Sequence, residues 1–498
     1  MLFNSFEFLL FFPLVSIVYF LIPHKIRYIW LLLASYFFYM NWNAKYALLL
    51  FGSTFITYVA GIMIARFEKQ EIEDVRKIRY KKVCVAISFI LNLSILAIFK
   101  YANFAIDNLN ILLEKLHLQM DIPNWNILLP VGISFYIFQA LSYTMDVYRG
   151  EIEPQKNLAK YALFVSFFPQ LVAGPIERSK NLLKQIDEVH KFDYRRMTSG
   201  LLLMIWGYFL KLMIADRIAL LVDNVYGNYS TYGGYYLIVA SLLFAVQIYC
   251  DFAGYSTIAM GVAEVMGFRL MDNFNCPYYS RSISEFWRRW HISLSSWFKD
   301  YLYIPLGGNR KGKVRKYLNL LVVFAVSGLW HGAEWTFVIW GTLNGLYQII
   351  GAELAKVRNG VVGFFKLNRQ TLSHKLFQNI ITFLLIDFTW VFFRADTTSD
   401  AFDILKSMLQ GGNLNIFFDG TFFGAGLDEK NFIVLIISLG VLGIVDALKY
   451  KGIVVREVLM KQELWFRWIV YIAAVMSILI FGVWGASYDA ASFIYFQF

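Results

Sequence analysis

Charge is scarce in this chain: 16% of its 498 residues are Asp, Glu, Lys or Arg, against about 25% in soluble proteins. Apolar residues fill the gap at 58%, above the ~45–50% usual for a soluble domain. A water-exposed fold of this length cannot hide that surplus, so soluble enzyme, secreted domain, coiled coil and disordered chain are excluded. Cysteine is scarce too. Cys84, Cys250 and Cys276 have no CxxC spacing and are too few for a disulfide framework. The Gly-x-Ser-x-Gly elbow, a Walker sequence, the dinucleotide Gly pattern and an HExxH zinc site are all missing, which removes hydrolase, ATPase and dehydrogenase readings. No linker divides the chain, so a single polytopic domain over residues 1–498 is expected. No internal repeat stands out, which counts against an inverted-repeat transporter.

What the chain has is apolar sequence in blocks. Residues 46–65, 83–99, 127–145, 233–250, 317–333 and 335–352 carry no charge, and each is about the ~17–25 residues that a membrane-crossing helix needs. Candidate spans are 6–22, 28–40, 46–65, 83–99, 127–148, 200–222, 233–255, 318–330, 335–354, 377–393, 432–447 and 466–484. Residues 6–22 lack the basic front end and cleavage site of a removable signal peptide and read as a retained span. Residues 158–174 are apolar but end in Pro169 and Gly174-Pro175, which suits a broken or re-entrant segment buried in protein. The fold class is an all-α integral membrane protein with about 11–12 transmembrane helices plus re-entrant or interfacial helices.

The basic residues orient it. Residues 66–82 carry seven Lys or Arg, 178–196 six, 269–316 ten, 356–375 five and 449–467 five. The alternate connections are poor: 100–126 has two, 223–232 none and 395–430 two. By the positive-inside rule this places the basic loops in the cytoplasm and both termini outside. The formal net charge of +11 is thus largely a topology signal and does not call for nucleic acid.

Ionisable groups at membrane depth are the informative ones, since each costs at least ~2.5–3.5 kcal/mol on insertion scales. In Ser327-Gly328-Leu329-Trp330-His331-Gly332, His331 is the only ionisable residue between Tyr317 and Ala333. A neutral imidazole there can accept a proton from a hydroxyl, as a general base in acyl transfer must; a His satisfied by an interhelical hydrogen bond is the plain alternative. Residues 283–303 contain Glu285-Phe286-Trp287-Arg288-Arg289-Trp290-His291. On a helical wheel Phe286, Trp297, Trp290, Tyr301, Leu294, Trp287 and Phe298 fall in an arc of about 120°, with Arg288, Arg289 and Lys299 opposite. That predicts one amphipathic helix at the cytoplasmic interface, with His291 at the edge of its aromatic arc. The following Leu306-Gly307-Gly308-Asn309-Arg310-Lys311 could bind an anionic donor, although positive-inside charge explains it equally well. Asp251, Asp387 and Lys211 also lie within spans, where ion pairing is expected and a proton relay is the alternative.

These residues bring a family into view. Pro130-Val131-Gly132-Ile133-Ser134-Phe135, Phe168-Pro169-Gln170-Leu171-Val172-Ala173-Gly174-Pro175-Ile176, Asp251-Phe252-Ala253-Gly254-Tyr255-Ser256, residues 286–295, Tyr303-Ile304-Pro305-Leu306-Gly307-Gly308-Asn309, residues 328–332 and the terminal Phe493-Ile494-Tyr495-Phe496-Gln497-Phe498 together resemble the membrane-bound O-acyltransferases, in particular the bacterial alginate O-acetyltransferase branch. Ala253 and Thr257 depart from the pattern, where Ser and an acid are expected. The resemblance implies a ring of tilted spans around a central tunnel, with His331 at its waist and His291 as a second catalytic histidine. It implies substrate contacts from Trp330, Trp290, Arg288, Arg289 and Asp251, with no metal and no tightly bound cofactor. Acetyl-CoA would be the donor substrate, and a separate extracytoplasmic acetyltransferase would place the acyl group on a polysaccharide. The implied location is the bacterial cell membrane.

Two rivals stand beside it. A teichoic-acid D-alanyl transferase would draw its acyl group from a carrier protein, but that branch has shorter chains. A secondary transporter would use Asp251, Lys211 and Asp387 and would leave Trp330-His331-Gly332 unexplained. Nothing in the residues reads the acceptor sugar, so exopolysaccharide, alginate and cell-wall polymer all stay open.

Overall fold

The computed structural model describes residues 1–71, 73–118, 120–483 and 494. Its regular structure is helical, with no strand among the described residues. A helix satisfies its own backbone N–H and C=O groups where no water can reach them. Among the described residues seven helical stretches are long and apolar enough to cross a membrane: His24–Glu68, Asp74–Lys115, Tyr194–Gly227, Gly234–Met266, Leu372–Arg394, Glu429–Tyr450 and Leu464–Phe481. The chain is an all-α integral membrane protein.

The structure redraws some expected spans. Those at 28–40 and 46–65 lie in one helical stretch with a 3-10 turn, Ala44–Tyr46, between its two helices. The span expected at 127–148 is helical only over Ile133–Tyr148, because the chain first turns through Gly132 at φ 73°. Trp484 and the terminal 493–498 sequence, Ile494 apart, lie outside the described residues.

Two compact units emerge, Met1–Leu201 with Ala259–Met271, and Leu202–Ile258 with Asp272–Phe498. In the first, the break expected within 158–174 is present: the helix Leu158–Ser166 stops and the chain turns back. The carbonyl of Phe164 is then taken by the side-chain amides of Gln139 at 2.6 Å and Gln170 at 3.1 Å, and Ser35 Oγ accepts the N–H of Phe168 at 3.1 Å. Side chains thus replace the missing helical bonds. Phe168 meets Phe11 edge-on at 5.3 Å. Gly132 is required here, since a Cβ would lie 2.6 Å from the Leu171 carbonyl. Past the break, buried Glu177 accepts from Asn181 Nδ2 at 2.7 Å and from the N–H of Met271. Its burial pushes the carboxyl pKa up to about 7.

The second unit carries a π-helical turn, Phe209–Ala215. Bonds five residues apart bring Asp216 over Lys211. Lys211 Nζ lies 2.8 Å from Asp216 and 2.6 Å from Asp251. Close approach is possible because Gly207 faces Gly254: a Cβ on Gly207 would sit 2.6 Å from the Gly254 carbonyl. The carbonyl of Leu212 accepts the N–H of Val483 at 3.1 Å, and Arg217 donates to the Phe481 carbonyl and, at 3.1 Å, to Asn431 Oδ1.

Candidate functional site

Both histidines singled out in the sequence belong to the second unit. His331 is the last residue of the helix Lys313–His331, which stops where Gly332 turns extended. That helix lies against Trp335–Glu353 along a glycine seam. A Cβ on Gly341 would come 3.1 Å from Gly328 Cα, and one on Gly328 would come 3.3 Å from Val338 Cα and nearer still to the Phe337 carbonyl. The seam draws Trp340 to 5.1 Å from the His331 imidazole, ring centre to ring centre. Phe393 lies at 5.4 Å and Trp330 at 4.9 Å. His331 is buried among them.

The single amphipathic helix expected over 283–303 is not formed. The helix Ile283–Arg289 ends, Trp290 is extended, His291 turns left-handed at φ 43° and ψ 56°, and a second helix, Ile292–Phe298, begins, followed by a π turn, Lys299–Tyr303. The reason is burial. The aromatic residues are inside the protein and face different partners. Trp290, 1% exposed, packs on Phe274 at 5.0 Å and Trp390 at 5.2 Å. Trp287 packs on Phe324 at 5.3 Å and donates its indole N–H to Asn344 Oδ1 at 3.2 Å. One straight stripe along an interface cannot make both sets of contacts.

The break aims His291 inward. Its ring lies 4.6 Å from Phe252, 6.1 Å from Trp330 and 6.5 Å from His331. A direct hydrogen bond between the two imidazoles is out of reach at that separation. Burial lowers the His291 pKa to about 3, so the ring stays neutral.

The other candidates are distributed differently. Trp330 and Trp290 belong to the aromatic wall just described. Arg289 is engaged by Glu285 at 3.0 Å and by the Asn275 carbonyl at 3.0 Å, and sits over the ring of Tyr450; Arg288 is exposed. Asp251 pairs with Lys211 and accepts the N–H of Ile494 at 2.9 Å. The ion pair anticipated for Asp387 is replaced by a hydrogen bond from Ser241 at 3.1 Å. Lys211 has taken Asp216 instead. Asp216 was missed by the sequence reading although it is an ionisable residue inside the 200–222 span, which was the signal available. Among the described residues, no three His, Cys, Asp or Glu side chains are grouped as a metal site would require.

Fold and site together define an integral membrane protein that keeps two histidines in an aromatic interior. Residues 136–393 match MBOAT, the membrane-bound O-acyltransferase family. Over 415 residues, 83% of this chain and 75% of the relative, the sequence is 39% identical to the probable alginate O-acetylase of Pseudomonas aeruginosa. It is 35% identical over 407 residues to the peptidoglycan O-acetyltransferase of Helicobacter pylori, covering 76% of this chain and 73% of that one. The teichoic acid D-alanyltransferase of Bacillus subtilis is 28% identical over 243 residues, 45% of this chain and 59% of that protein. The chain belongs to the membrane-bound O-acyltransferase family and is a multi-pass membrane O-acyltransferase.

Proposed function

We propose that this enzyme moves an acetyl group from acetyl-CoA on the cytoplasmic side across the membrane for O-acetylation of an extracytoplasmic polysaccharide, with residues 1–498 acting as one catalytic domain. The observation that carries the reading is the placement of His331 and His291 within 6.5 Å of each other, walled by Trp330, Trp340 and Phe393. A neutral imidazole in a site with little water is suited to take a proton from a hydroxyl and return it. His331 accepts the proton of the attacking hydroxyl as its oxygen bonds to the thioester carbonyl carbon. The carbon–sulfur bond then breaks, and the imidazolium gives the proton to the departing thiolate. His291, held neutral by burial, orients the thioester or donates to its carbonyl oxygen. Trp330 and Trp290 wall the passage, and exposed Arg288 attracts the anionic donor. Arg289 and Asp251, already held by protein partners, keep their surroundings in place.

The positive loops set the direction: basic connections face the cytoplasm, and both termini and the acceptor lie outside. An extracytoplasmic acetyltransferase receives the group before the polysaccharide. Acetyl transfer is preferred to D-alanyl transfer because both O-acetyl relatives match over most of the chain, whereas the D-alanyl relative matches over 45%.

The test uses purified protein in vesicles, basic loops outward, with radiolabelled acetyl-CoA outside and acceptor polysaccharide with its partner protein inside. Release of CoA and label inside, lost in His331→Ala, is expected. Transfer only from an acyl-loaded carrier protein would move the enzyme to the D-alanyl branch, and unimpaired transfer by His331→Ala would remove that residue from the mechanism.

A further inference from the structure

The break at His291 is built by a residue that no motif pointed to. A left-handed backbone is unfavourable for any side chain with a Cβ, and it persists only where the surroundings impose it. Here residues 273–275 hold it from both sides. The N–H of Asn275 donates to the Arg289 carbonyl at 3.0 Å, and the N–H of Ile292 donates to the Asn273 carbonyl at 3.0 Å. These two bonds bracket Trp290 and His291.

The side chain of Asn273 completes the clamp. Its Oδ1 accepts from Ser293 Oγ at 2.7 Å and from the Ser293 N–H at 3.3 Å, and its Nδ2 donates to Ser256 Oγ at 3.0 Å. Asn273 is 1% exposed, with Ser293 and Ser256 buried beside it. His291 occupies the N-cap position of the helix Ile292–Phe298, yet its side chain makes no capping bond. An N-cap residue ordinarily uses its own side chain to satisfy the N–H two or three positions on. Asn273 does this in its stead, through Ser293. Ser256 stands one helical turn from Phe252, the ring against His291 at 4.6 Å. One amide therefore ties the start of the His291 helix to the helix that walls His291.

We propose that Asn273 is a positioning residue for acyl transfer, fixing the backbone and orientation of His291. The proposal rests on the assignment of His291 to the reaction. Asn is suited because the site needs an acceptor for Ser293 and a donor for Ser256 from one short side chain.

The test is a double-mutant cycle in the vesicle assay, reading CoA release. Asn273→Ala is expected to lower kcat by roughly tenfold or more with KM for acetyl-CoA little changed, and to add almost no further loss in a His291→Ala background, as residues acting through one another do. Asn273→Asp keeps both bonds from Ser293 and is expected to recover part of the turnover. Losses that simply add, or parental kcat in folded Asn273→Ala, would overturn the proposal while leaving His291 in the mechanism. Full activity in His291→Ala alone would remove the assignment on which it rests. Should Asn273→Ala fail to accumulate as folded protein, the same cycle with Ser293→Ala decides the matter.

Discussion

The imidazoles of His291 and His331 meet at 63° with their centres 6.5 Å apart, and the indole of Trp330 lies near both, 6.1 Å from the first and 4.9 Å from the second. The two rings reach this arrangement from different kinds of structure. His331 ends a long helix, and His291 sits in a break between two short ones.

Removing either ring is expected to separate chemistry from folding. His331→Ala is expected to lower turnover by about 10²–10⁴-fold, the range for losing a general base, with the thermal unfolding temperature in detergent close to the parent's. His291→Ala is expected to lose less. Purified variants assayed for CoA release, with size-exclusion profiles alongside, check both. A variant that unfolds as it loses activity would point to packing instead.

The glycine seam gives a second prediction. Gly328→Ala places a methyl group against Phe337 and Val338, which a tight interface accommodates only by moving a helix. Overpacking of this kind typically destabilises by about 1–3 kcal/mol. Since the same helix ends in His331, turnover should fall as well. Gly351→Ala, at a glycine with open space around it, is the control and should leave both unchanged.

Lys211 holds two buried carboxylates, those of Asp216 and Asp251. Lys211→Ala leaves both without their cation, and breaking a buried pair this way costs about 3–5 kcal/mol. The expected result is poor accumulation of folded protein. Replacing all three together, Lys211→Met with Asp216→Asn and Asp251→Asn, should recover it. Fluorescence-detected size-exclusion chromatography distinguishes these outcomes.

Glu177 makes stability depend on pH. Its carboxyl is raised by burial from 4.5 to about 7, so the folded state holds its proton more tightly than the unfolded chain does. The stability this proton contributes is complete below about pH 4.5 and is lost as pH rises through about 7, a change on the order of 3 kcal/mol. Melting temperatures should fall across that window in the parent and flatten in Glu177→Gln. A parent profile that rises instead would contradict the assignment.

The membrane class was legible in the sequence because it depends on composition and on charge-free length, both of which are local. The break at Pro169 was legible for the same reason. Trp330-His331-Gly332 could be found because an ionisable residue in an apolar block needs a purpose. What stayed hidden depended on residues far apart in the chain. The wheel over 283–303 assumed that one helix continued, and nothing local in Trp290-His291-Ile292 announces a left-handed turn. The bonds that bracket it come from Asn273 and Asn275, which are 18 and 16 residues away from His291. The pairing of Lys211 with Asp216 was hidden in another way: a regular helix puts residue 215 over 211, and only the wide turn at Phe209–Ala215 puts Asp216 there.

The aromatic wall around His291 and His331 also carries its own optical label. Trp287, Trp340, Trp390 and Trp290 are joined ring to ring, Trp330 lies against both histidines and Trp340 against His331, and the five are part of the protein's 14 tryptophans. If the proposed donor and acceptor meet there, their arrival is expected to change the polarity and quenching those rings feel. The order in which donor and acceptor arrive should therefore be readable in the intrinsic emission of the unmodified enzyme, in a bilayer and on the time scale of mixing.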